Sequence, residues 1–465
     1  MNPTLQHDKD SFAQILRDAL GIAERYVNNG QSSLPPGKLV ADLPLTTLPE
    51  KGLGGIDVLK LFESKYANQI TNSAGPRYFG FVTGGSTPAS VAGDWLVSTY
   101  DQNACGSNDS IAPQLERQAI DFIRQLLGID KDFFGSFVSG ATMSNMVGLS
   151  LGRQWVGEQL GADFSNDGIT GKVKVLSGTP HSSILKSLSM IGVGRKNVTM
   201  VKTIDDREAV DIHELEKHLS QQTQAVIVVA NAGTVNTVDF DDLAAIAKLK
   251  EKYSFWLHVD AAFGGFAGAS SKYRHLIEGI NKADSICIDA HKWLNVPYDA
   301  AMQFTRHKTL QLKVFQNAGA SYLSNPEGST DFFHYTPESS RRFRALPAWF
   351  SLMAYGREGY REIVEGNCAM AAKFAAWIGN SDAFVLLAPV KMNVVCFTLA
   401  GNKSAADIKN FLDKVRDDGR AFFTQTVYKG TPGIRAAVSN WLTSENDIDI
   451  TTQALEQLST QAELA

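Results

Sequence analysis

The 465-residue sequence has few cysteines and no long apolar run, and both shortages restrict its class. Its four cysteines are scattered, with a spacing that fits neither metal ligands nor a disulfide framework: Cys105, Cys287, Cys368 and Cys396. No stretch of about 18 apolar residues suits a membrane-spanning helix. The segment from Met1 to Asp10 is polar and lacks the apolar core of a secretory signal. These absences predict a cytoplasmic protein without a metal site or a membrane partner.

The charge pattern and the missing motifs narrow the chemistry further. Net charge is −5, and no basic stretch is long enough to indicate a nucleic-acid or lipid partner. The HExxH, GxSxG, GxxxxGK(S/T) and GxGxxG patterns do not occur, so the chemistries they mark are poorly supported. With 44% apolar and 20% charged residues, the composition is that of a globular enzyme long enough for more than one domain.

The N-terminal part, residues 1–75, is predicted to be helical with a break. Helical periodicity runs from Ser11 to Asn28, and a connector rich in Pro, Gly and Leu follows from Gln31 to Leu53. Such a segment has little core of its own. We therefore expect it to pack on another surface, that of a second subunit.

Residues 76–345 alternate between short apolar runs and amphipathic stretches, which favours a mostly parallel sheet covered by helices on both faces. The predicted strands are Gly135–Ser139, Val173–Ser177, Val198–Lys202, Ala225–Ala230, Phe255–Asp260, Ser285–Asp289 and Ala300–Thr305. The predicted helices are Thr142–Gly157, Ser182–Ile191, Ile212–Ser220 and Asp241–Tyr253. Ligands of such sheets gather beyond the C-terminal ends of the strands.

Residues 346–465 change pattern and predict a small α+β domain. A long helix from Pro347 to about Ile378 opens it. The predicted strands are Phe384–Leu387, Val394–Leu399, Phe422–Tyr428 and Ile434–Val438. A helix is predicted at Ser404–Asp418, and a last helix begins at Asn446.

Two predicted strand ends carry a lysine and an aspartate that suit pyridoxal 5'-phosphate (PLP). Lys292 follows the run Ser285–Asp289 and stands between a histidine and a tryptophan. Asp260 ends the run Trp256-Leu257-His258-Val259. The amine can form the Schiff base, with a pKa that desolvation is expected to lower, while the acid keeps the pyridine nitrogen protonated. A surface lysine and a helix-capping aspartate are the structural alternatives.

A phosphate cradle is predicted where Ser139 to Asn145 follows an apolar strand and opens a helix. The free N–H groups of Ala141 and Thr142 would point at the dianion there. His181, after another strand, is placed to stack on the pyridine ring and to take part in proton transfer. A helix-capping role is the alternative for these residues.

Two further polar residues end strands on the same side. Thr234, in Asn231-Ala232-Gly233-Thr234, is a candidate partner for the cofactor's phenolic oxygen. His291, directly before the lysine, is a candidate for the phosphate or for a substrate carboxylate. The alternative for both residues is a structural role, in which their side chains make their hydrogen bonds within the protein.

These motifs, in this order and spacing, resemble those of the group II PLP-dependent decarboxylases, which act on glutamate, cysteine sulfinate, diaminobutyrate and aromatic L-amino acids. The resemblance runs from about Arg77 to Asp449 and equates Lys292, Asp260 and His181 with the family's Schiff-base lysine, ring-nitrogen aspartate and ring-stacking histidine. It implies the type I, aspartate aminotransferase-like fold. It also implies a homodimer with active sites at the subunit interface, and α-decarboxylation of an L-amino acid.

The substrate side is less sharply specified. The segment Tyr78 to Gly85 is expected to line the pocket through Phe81 and Thr83, and its glycines suggest an open or polar pocket. The resemblance equates Arg435 with an arginine that binds a carboxylate in the glutamate branch, a task that suits a guanidinium. A surface arginine at a strand end is the alternative.

One position departs from the family pattern. Members carry a catalytic-loop tyrosine nine residues before an Arg-Arg-Phe-Arg run, and counting back from Arg341 reaches Phe332. The resemblance then implies a second outcome, in which O2 intercepts the carbanion and an aldehyde forms. Tyr335 or His334, in the loop from Asn317 to Ser340, is the alternative acid. An aminotransferase or another PLP-dependent lyase on the same fold, and a non-catalytic binding protein, are the other hypotheses.

Overall fold

The protein is described by a computed structural model over residues 1–30, 47–106, 110–317, 325–401 and 403–463. Residues 31–46 of the predicted connector and residues 318–324 of the predicted loop lie outside the described residues. Within the described ranges, no helix combines the length and the apolar character that crossing a membrane requires.

The N-terminal part is helical, as its periodicity predicts. It contains α1 (Pro3–Asp10), α2 (Phe12–Gly30) and α3 (Gly55–Lys65). Asn2 caps α1 by accepting the backbone N–H of Thr4 at 2.9 Å. Helix α2 packs on α3, and an ion pair joins Arg25 to Glu63.

A seven-stranded sheet forms the centre of the molecule, and its order is β1-β7-β6-β5-β4-β2-β3. The strands are β1 (Phe134–Val138), β2 (Val175–Ser177), β3 (Val198–Met200), β4 (Val226–Asn231), β5 (Phe255–Asp260), β6 (Ser285–Asp289) and β7 (Ala301–Thr305). Strands β3, β2, β4, β5 and β6 are neighbours in this order and run parallel to one another. Strand β7 runs antiparallel to both of its neighbours, β6 and β1. The predicted α/β class with a mostly parallel sheet is confirmed.

Helices cover both faces of this sheet because its central strands are mostly apolar and are buried along their whole length. Every residue of β4, β5 and β6 is buried. The covering helices are α4 (Pro88–Tyr100), α5 (Ala112–Leu127), α6 (Ala141–Gln159), α7 (Ser182–Met190), α8 (Ile212–Ser220), α9 (Leu243–Leu249), the single turn α10 (Ala290–Trp293) and α11 (Lys308–Phe315).

Strand and helix ends differ from the predictions where a cap or a turn intervenes. The seven strands begin and end within two residues of their predicted positions. Helix α9 is shorter than the predicted Asp241–Tyr253 because the Asp242 side chain caps it, accepting the N–H of Ala245 at 2.9 Å. The chain then turns after Leu249, so the amphipathic pattern of the sequence continues beyond the end of the helix.

The C-terminal part forms a second, antiparallel sheet of four strands in the order β10-β11-β9-β8. Its elements are α12 (Ala345–Gly379), β8 (Phe384–Leu386), β9 (Val394–Leu399), α13 (Ala405–Asp418), β10 (Thr424–Tyr428), β11 (Thr431–Ala437) and α14 (Glu445–Glu463). Helix α12 is interrupted at Gly356, which has φ 57° and ψ −163°. A separate apolar core lies between this sheet and helices α12 to α14.

Candidate active site

The C-terminal ends of the parallel strands bring the predicted site residues together. Asp260 at the end of β5 lies in register with Asn231 of β4 and Cys287 of β6. Lys292 follows β6 within the short helix α10. The lysine and the aspartate therefore share one edge of the sheet, as the βα alternation predicts.

His181 faces the same space. Burial lowers the pKa of His181, the positive charges of Lys292 and Arg435 lower it further, and the carboxylates of Asp260 and Asp289 oppose this. Its Nδ1 atom also accepts the N–H of Ser183 at 3.2 Å, so it caps helix α7 as well. The structure shows the capping role, and ring stacking stays a prediction.

Lys292 pairs with an acid that sequence analysis missed. Its Nζ lies 3.2 Å from Oδ2 of Asp289, which is fully buried, and 5.8 Å from the centre of the Phe263 ring. Burial lowers the pKa of Lys292, but the carboxylates of Asp289 and Asp260 outweigh it and the pKa is raised. The predicted lowering of this pKa by desolvation is outweighed because the carboxylate of Asp289, three residues earlier in the chain, lies against the amine.

Asp260 is buried and held by two donors. Oδ2 accepts the Nδ2–H of Asn145 at 3.1 Å, and Oδ1 accepts the backbone N–H of Ala262 at 3.2 Å. Asn145 had been included in the predicted phosphate cradle. The structure turns its side chain to Asp260 instead, because it lies one helical turn inside α6.

The start of α6 has the features of an anion site. Gly140 precedes the helix, and no side chain of the described residues caps it. The imidazole of His291 is close by, since its Cε1 would stand 3.5 Å from a Cβ on Gly140. The amides of Ala141 and Thr142 open the helix there, so these residues and His291 come together as predicted.

The hydroxyl of Thr234 has another partner. It donates to Oε2 of Glu208 at 2.5 Å, and its oxygen accepts the N–H of Asp239 at 2.9 Å. The hydroxyl hydrogen of Thr234 therefore points to Glu208 and not toward Lys292. Neighbouring Glu208 was not predicted, because it is distant in sequence from every strand-end motif.

The predicted substrate segment lies directly against Lys292. A Cβ on Gly84 would overlap the backbone carbonyl of Lys292, so only glycine permits this approach. Thr83 is buried and lies 3.3 Å from the hydroxyl of Tyr298, whose ring packs 4.2 Å from that of His291. Phe81 is exposed to solvent.

Arg435 is a buried cation on β11. It donates to the carbonyl of Val235 at 3.1 Å and to Oγ1 of Thr424 at 3.4 Å, and its Nε has no hydrogen-bond partner. In the part of the chain that the structure describes, no carboxylate lies within ion-pair distance of it. A buried guanidinium that forms no ion pair with the described residues suits an incoming carboxylate.

Phe332 and the two predicted loop acids, His334 and Tyr335, lie near the start of β1. Phe332 is fully buried, with the Arg341 guanidinium 4.7 Å from its ring centre. Tyr335 donates to the carbonyl of Ser329 at 2.8 Å and packs on Phe134, as Phe332 does. Phe134 begins β1, roughly 13 Å along the strand from the end that leads to the phosphate cradle. His334 is buried beside them.

Comparison with known proteins agrees with this geometry. The profile described as "Pyridoxal-dependent decarboxylase conserved domain" matches residues 36–400. The chain belongs to this family. Its members are PLP-dependent carboxy-lyases, so this decarboxylase-family enzyme uses PLP as its cofactor.

Three similar proteins illustrate the breadth of the family. The chain is 27% identical to the aromatic-L-amino-acid decarboxylase of Bacillus atrophaeus, over 96% of this chain and 95% of that protein. It is 24% identical to the 4-hydroxyphenylacetaldehyde synthase of Rhodiola rosea, over 90% and 88%. The structure of Catharanthus roseus tryptophan decarboxylase in complex with L-tryptophan has a TM-score of 0.86 and 21% identity, over 97% and 98%. This last likeness confirms the fold.

The residues of this decarboxylase-family site fit PLP. A half-buried lysine, a buried carboxylate and an uncapped helix start match the cofactor's aldehyde, ring nitrogen and phosphate. Among the residues that the structure describes, the buried Oδ1 of Asp289 also has no hydrogen-bond partner, a sign that the polar surface is incomplete without a ligand.

Proposed function

We propose that this enzyme catalyses α-decarboxylation of an L-amino acid, releasing the amine and CO2, with the cofactor attached covalently to Lys292. The observation that carries the proposal is the meeting of Lys292, Asp260 and His181 at one end of the sheet, beside the start of α6. When bound, PLP supplies a ring that accepts the electron pair released as CO2 leaves.

The chain's own residues then have separate tasks. Asp260 holds the proton on the ring nitrogen, and His181 lies against the ring face. The amides of Ala141 and Thr142, with His291, hold the phosphate. Thr234 stays a proposed cofactor neighbour, with its hydrogen committed to Glu208.

Substrate recognition is proposed for Arg435, Thr83 and Phe81. The buried, unpaired guanidinium of Arg435 supports binding of a carboxylate, which every L-amino acid carries. Together with the glycine-rich segment Tyr78 to Gly85, Arg435 favours an acidic or small polar substrate, whereas the similarity to an aromatic-L-amino-acid decarboxylase supports an aromatic one. Both classes belong in the first assay.

A second candidate reaction is decarboxylation coupled to oxidation. Phe332 carries no hydroxyl that could return a proton to the substrate carbon, and one similar protein is an aldehyde synthase. In this reaction the amino acid, O2 and water give an aldehyde, CO2, ammonia and H2O2. Two electrons pass from the substrate to O2, which is reduced to peroxide.

The test is an incubation of the PLP-loaded enzyme, in air, with a panel of acidic, basic and aromatic L-amino acids. We expect one equivalent of CO2 per amine by mass spectrometry, without peroxide. Aldehyde with equimolar peroxide and ammonia would establish the second reaction. Lys292→Ala should abolish both CO2 release and the borohydride-trapped cofactor adduct. CO2 release that survives in Lys292→Ala would overturn the proposal.

We further propose a homodimer in which residues 1–75 are the dimerisation segment, 76–345 the PLP-binding domain and 346–465 the small domain. Helix α2 exposes an apolar stripe at a spacing of four residues, Phe12, Leu16 and Leu20. Burying such a stripe against a second copy would remove it from water.

A further inference from the structure

A chain of buried side chains joins Asp260 to the interior of the protein. Asn145 is its centre and is fully buried. Its Nδ2 lies 3.1 Å from Oδ2 of Asp260 and 3.0 Å from Oγ of Ser183, and its Oδ1 lies 2.9 Å from Nε2 of His258. All the hydrogen-bonding capacity of this amide nitrogen is therefore directed to the site.

The direction of each hydrogen bond follows from Asp260. An ionised carboxylate only accepts, so the amide of Asn145 must present its nitrogen; the reverse orientation would place two oxygens 3.1 Å apart. Oδ1 of Asn145 then requires a donor, which is the Nε2–H of His258. Nδ1 of His258 accepts from Oγ of Ser285 at 2.8 Å, and that oxygen accepts the indole N–H of Trp256 at 3.0 Å.

The position of His258 is supported by its surroundings. Burial lowers the pKa of His258 to about 4, against the opposing charge of Asp260, so the imidazole is neutral near pH 7 and has one N–H. Gly148, in the middle of α6, leaves the space that the ring fills: a Cβ there would stand 2.6 Å from Nδ1 of His258. An interior helix glycine costs stability, and this close approach accounts for it.

The second branch from Asn145 leads to His181. Its other amide hydrogen goes to Oγ of Ser183, which lies 2.8 Å from Nδ1 of His181. The amide of Asn145 therefore links Asp260, which is assigned to the nitrogen at the edge of the cofactor ring, to His181, which is assigned to the ring face.

We propose that Asn145, locked in one orientation by His258, is a positioning residue that keeps the Asp260 carboxylate aimed at the ring nitrogen while it holds His181 in place. A donor to a carboxylate stabilises its charged form, and the charged form of Asp260 keeps the ring nitrogen protonated. The inference rests on the proposed function, which assigns Asp260 to that nitrogen.

The test compares two cofactors on the cofactor-free protein: PLP and its analogue with carbon in place of the ring nitrogen. The native protein should bind PLP more tightly, because the analogue offers Asp260 no ring N–H to accept. Asn145→Asp keeps the shape, removes both amide donors and sets a second carboxyl group against Asp260. Its preference for PLP should fall by about tenfold or more, the loss expected for one charge-assisted hydrogen bond. The visible band of bound PLP should also respond to pH at a different midpoint.

Two comparisons separate positioning from folding. Asn393→Asp makes the same change at an equally buried asparagine, which donates to the carbonyl of Val438 in the small domain. It should leave the cofactor preference unchanged. His258→Gln retains a donor toward Asn145 and should keep most of the preference, whereas His258→Leu should lose it. This pair decides the question if Asn145→Asp does not fold.

Equal loss of affinity for both cofactors in Asn145→Asp, or equal preference in His258→Gln and His258→Leu, would show a merely structural role and overturn the inference. A native protein without any preference for PLP would instead overturn the assignment of Asp260 in the proposed function, and the inference with it. The two failures are therefore distinguishable.

Discussion

At the scale of single residues, the lysine of this site is defined by its acidic neighbour. Asp289 lies 3.2 Å from Nζ of Lys292, and its Oδ2 is also 3.4 Å from Nε2 of His291. The pKa of Asp289 is lowered: burial raises it, but Lys292 and His291 more than offset this. Before the cofactor binds, the lysine is therefore held as an ammonium ion, which is not nucleophilic.

Asp289→Asn should make Lys292 react faster with PLP near neutral pH. Removing the carboxylate leaves burial as the largest influence, so the pKa of Lys292 falls and the fraction of free amine rises, by about tenfold per pKa unit. Stopped-flow absorbance of PLP mixed with the cofactor-free protein, from pH 6 to 10, should show the rate profile displaced to lower pH. Asp260 and Cys287, which also face the lysine, are unchanged in this variant.

Asp284→Asn is the matched control for that experiment. Asp284 is buried at the opposite end of β6, where it pairs with Lys250 and His307. It should leave the rate profile in place. An unchanged profile in Asp289→Asn would mean that the contact with Lys292 has no influence on reactivity.

At the scale of elements, one carboxylate joins the two sheets. Asp239, between β4 and α9, accepts from Nη2 of Arg207 at 2.8 Å and pairs with Lys391, which precedes β9. It also accepts the N–H of Glu208 at 3.0 Å. Burial raises the pKa of Asp239, but Arg207 and Lys391 outweigh it and lower the pKa to about 2.

Asp239→Asn should lower the free energy of unfolding by roughly 2 kcal/mol near pH 7, a value reduced for the solvent exposure of both cations. Because the folded pKa lies below the unfolded value, this contribution is complete above about pH 4 and is lost as pH falls toward 2. Urea titrations should therefore show native and variant converging as the pH falls from about 4 to about 2. A difference independent of pH would refute the ion-pair explanation. Asp205→Asn, in the exposed pair with Lys202, should change stability little.

At the scale of the whole molecule, the exposed stripe of α2 predicts self-association. Leu16→Asp places a charge in the middle of the stripe between Phe12 and Leu20, where desolvation in an interface would be costly. Sedimentation velocity should show a native dimer and a variant shifted to monomer. Val385→Asp, at an exposed apolar position on β8 of the small sheet, should remain dimeric. A native monomer, or a Leu16→Asp dimer of native affinity, would contradict the proposal.

The chain's order of elements could be predicted because it depends on local patterns. Apolar runs of strand length and intervening amphipathic stretches specify β4, β5 and β6 with little reference to the rest of the chain. Parallel strands place their C-terminal ends at one edge, so Lys292 and Asp260 could be brought together from sequence alone. The end of α9 could not, because helix ends depend on caps and turns.

What the sequence by itself determined is the set of elements, the family and the pair Lys292 and Asp260, since motifs and periodicity are local. Only the tertiary structure decided which polar groups meet across elements. It placed Asn145 of α6 between Asp260 and His258 of β5, gave the hydroxyl of Thr234 to Glu208, and buried Phe332 beneath Arg341. These contacts join residues distant along the chain, and a buried polar group takes whichever partner the packed elements bring within hydrogen-bonding distance.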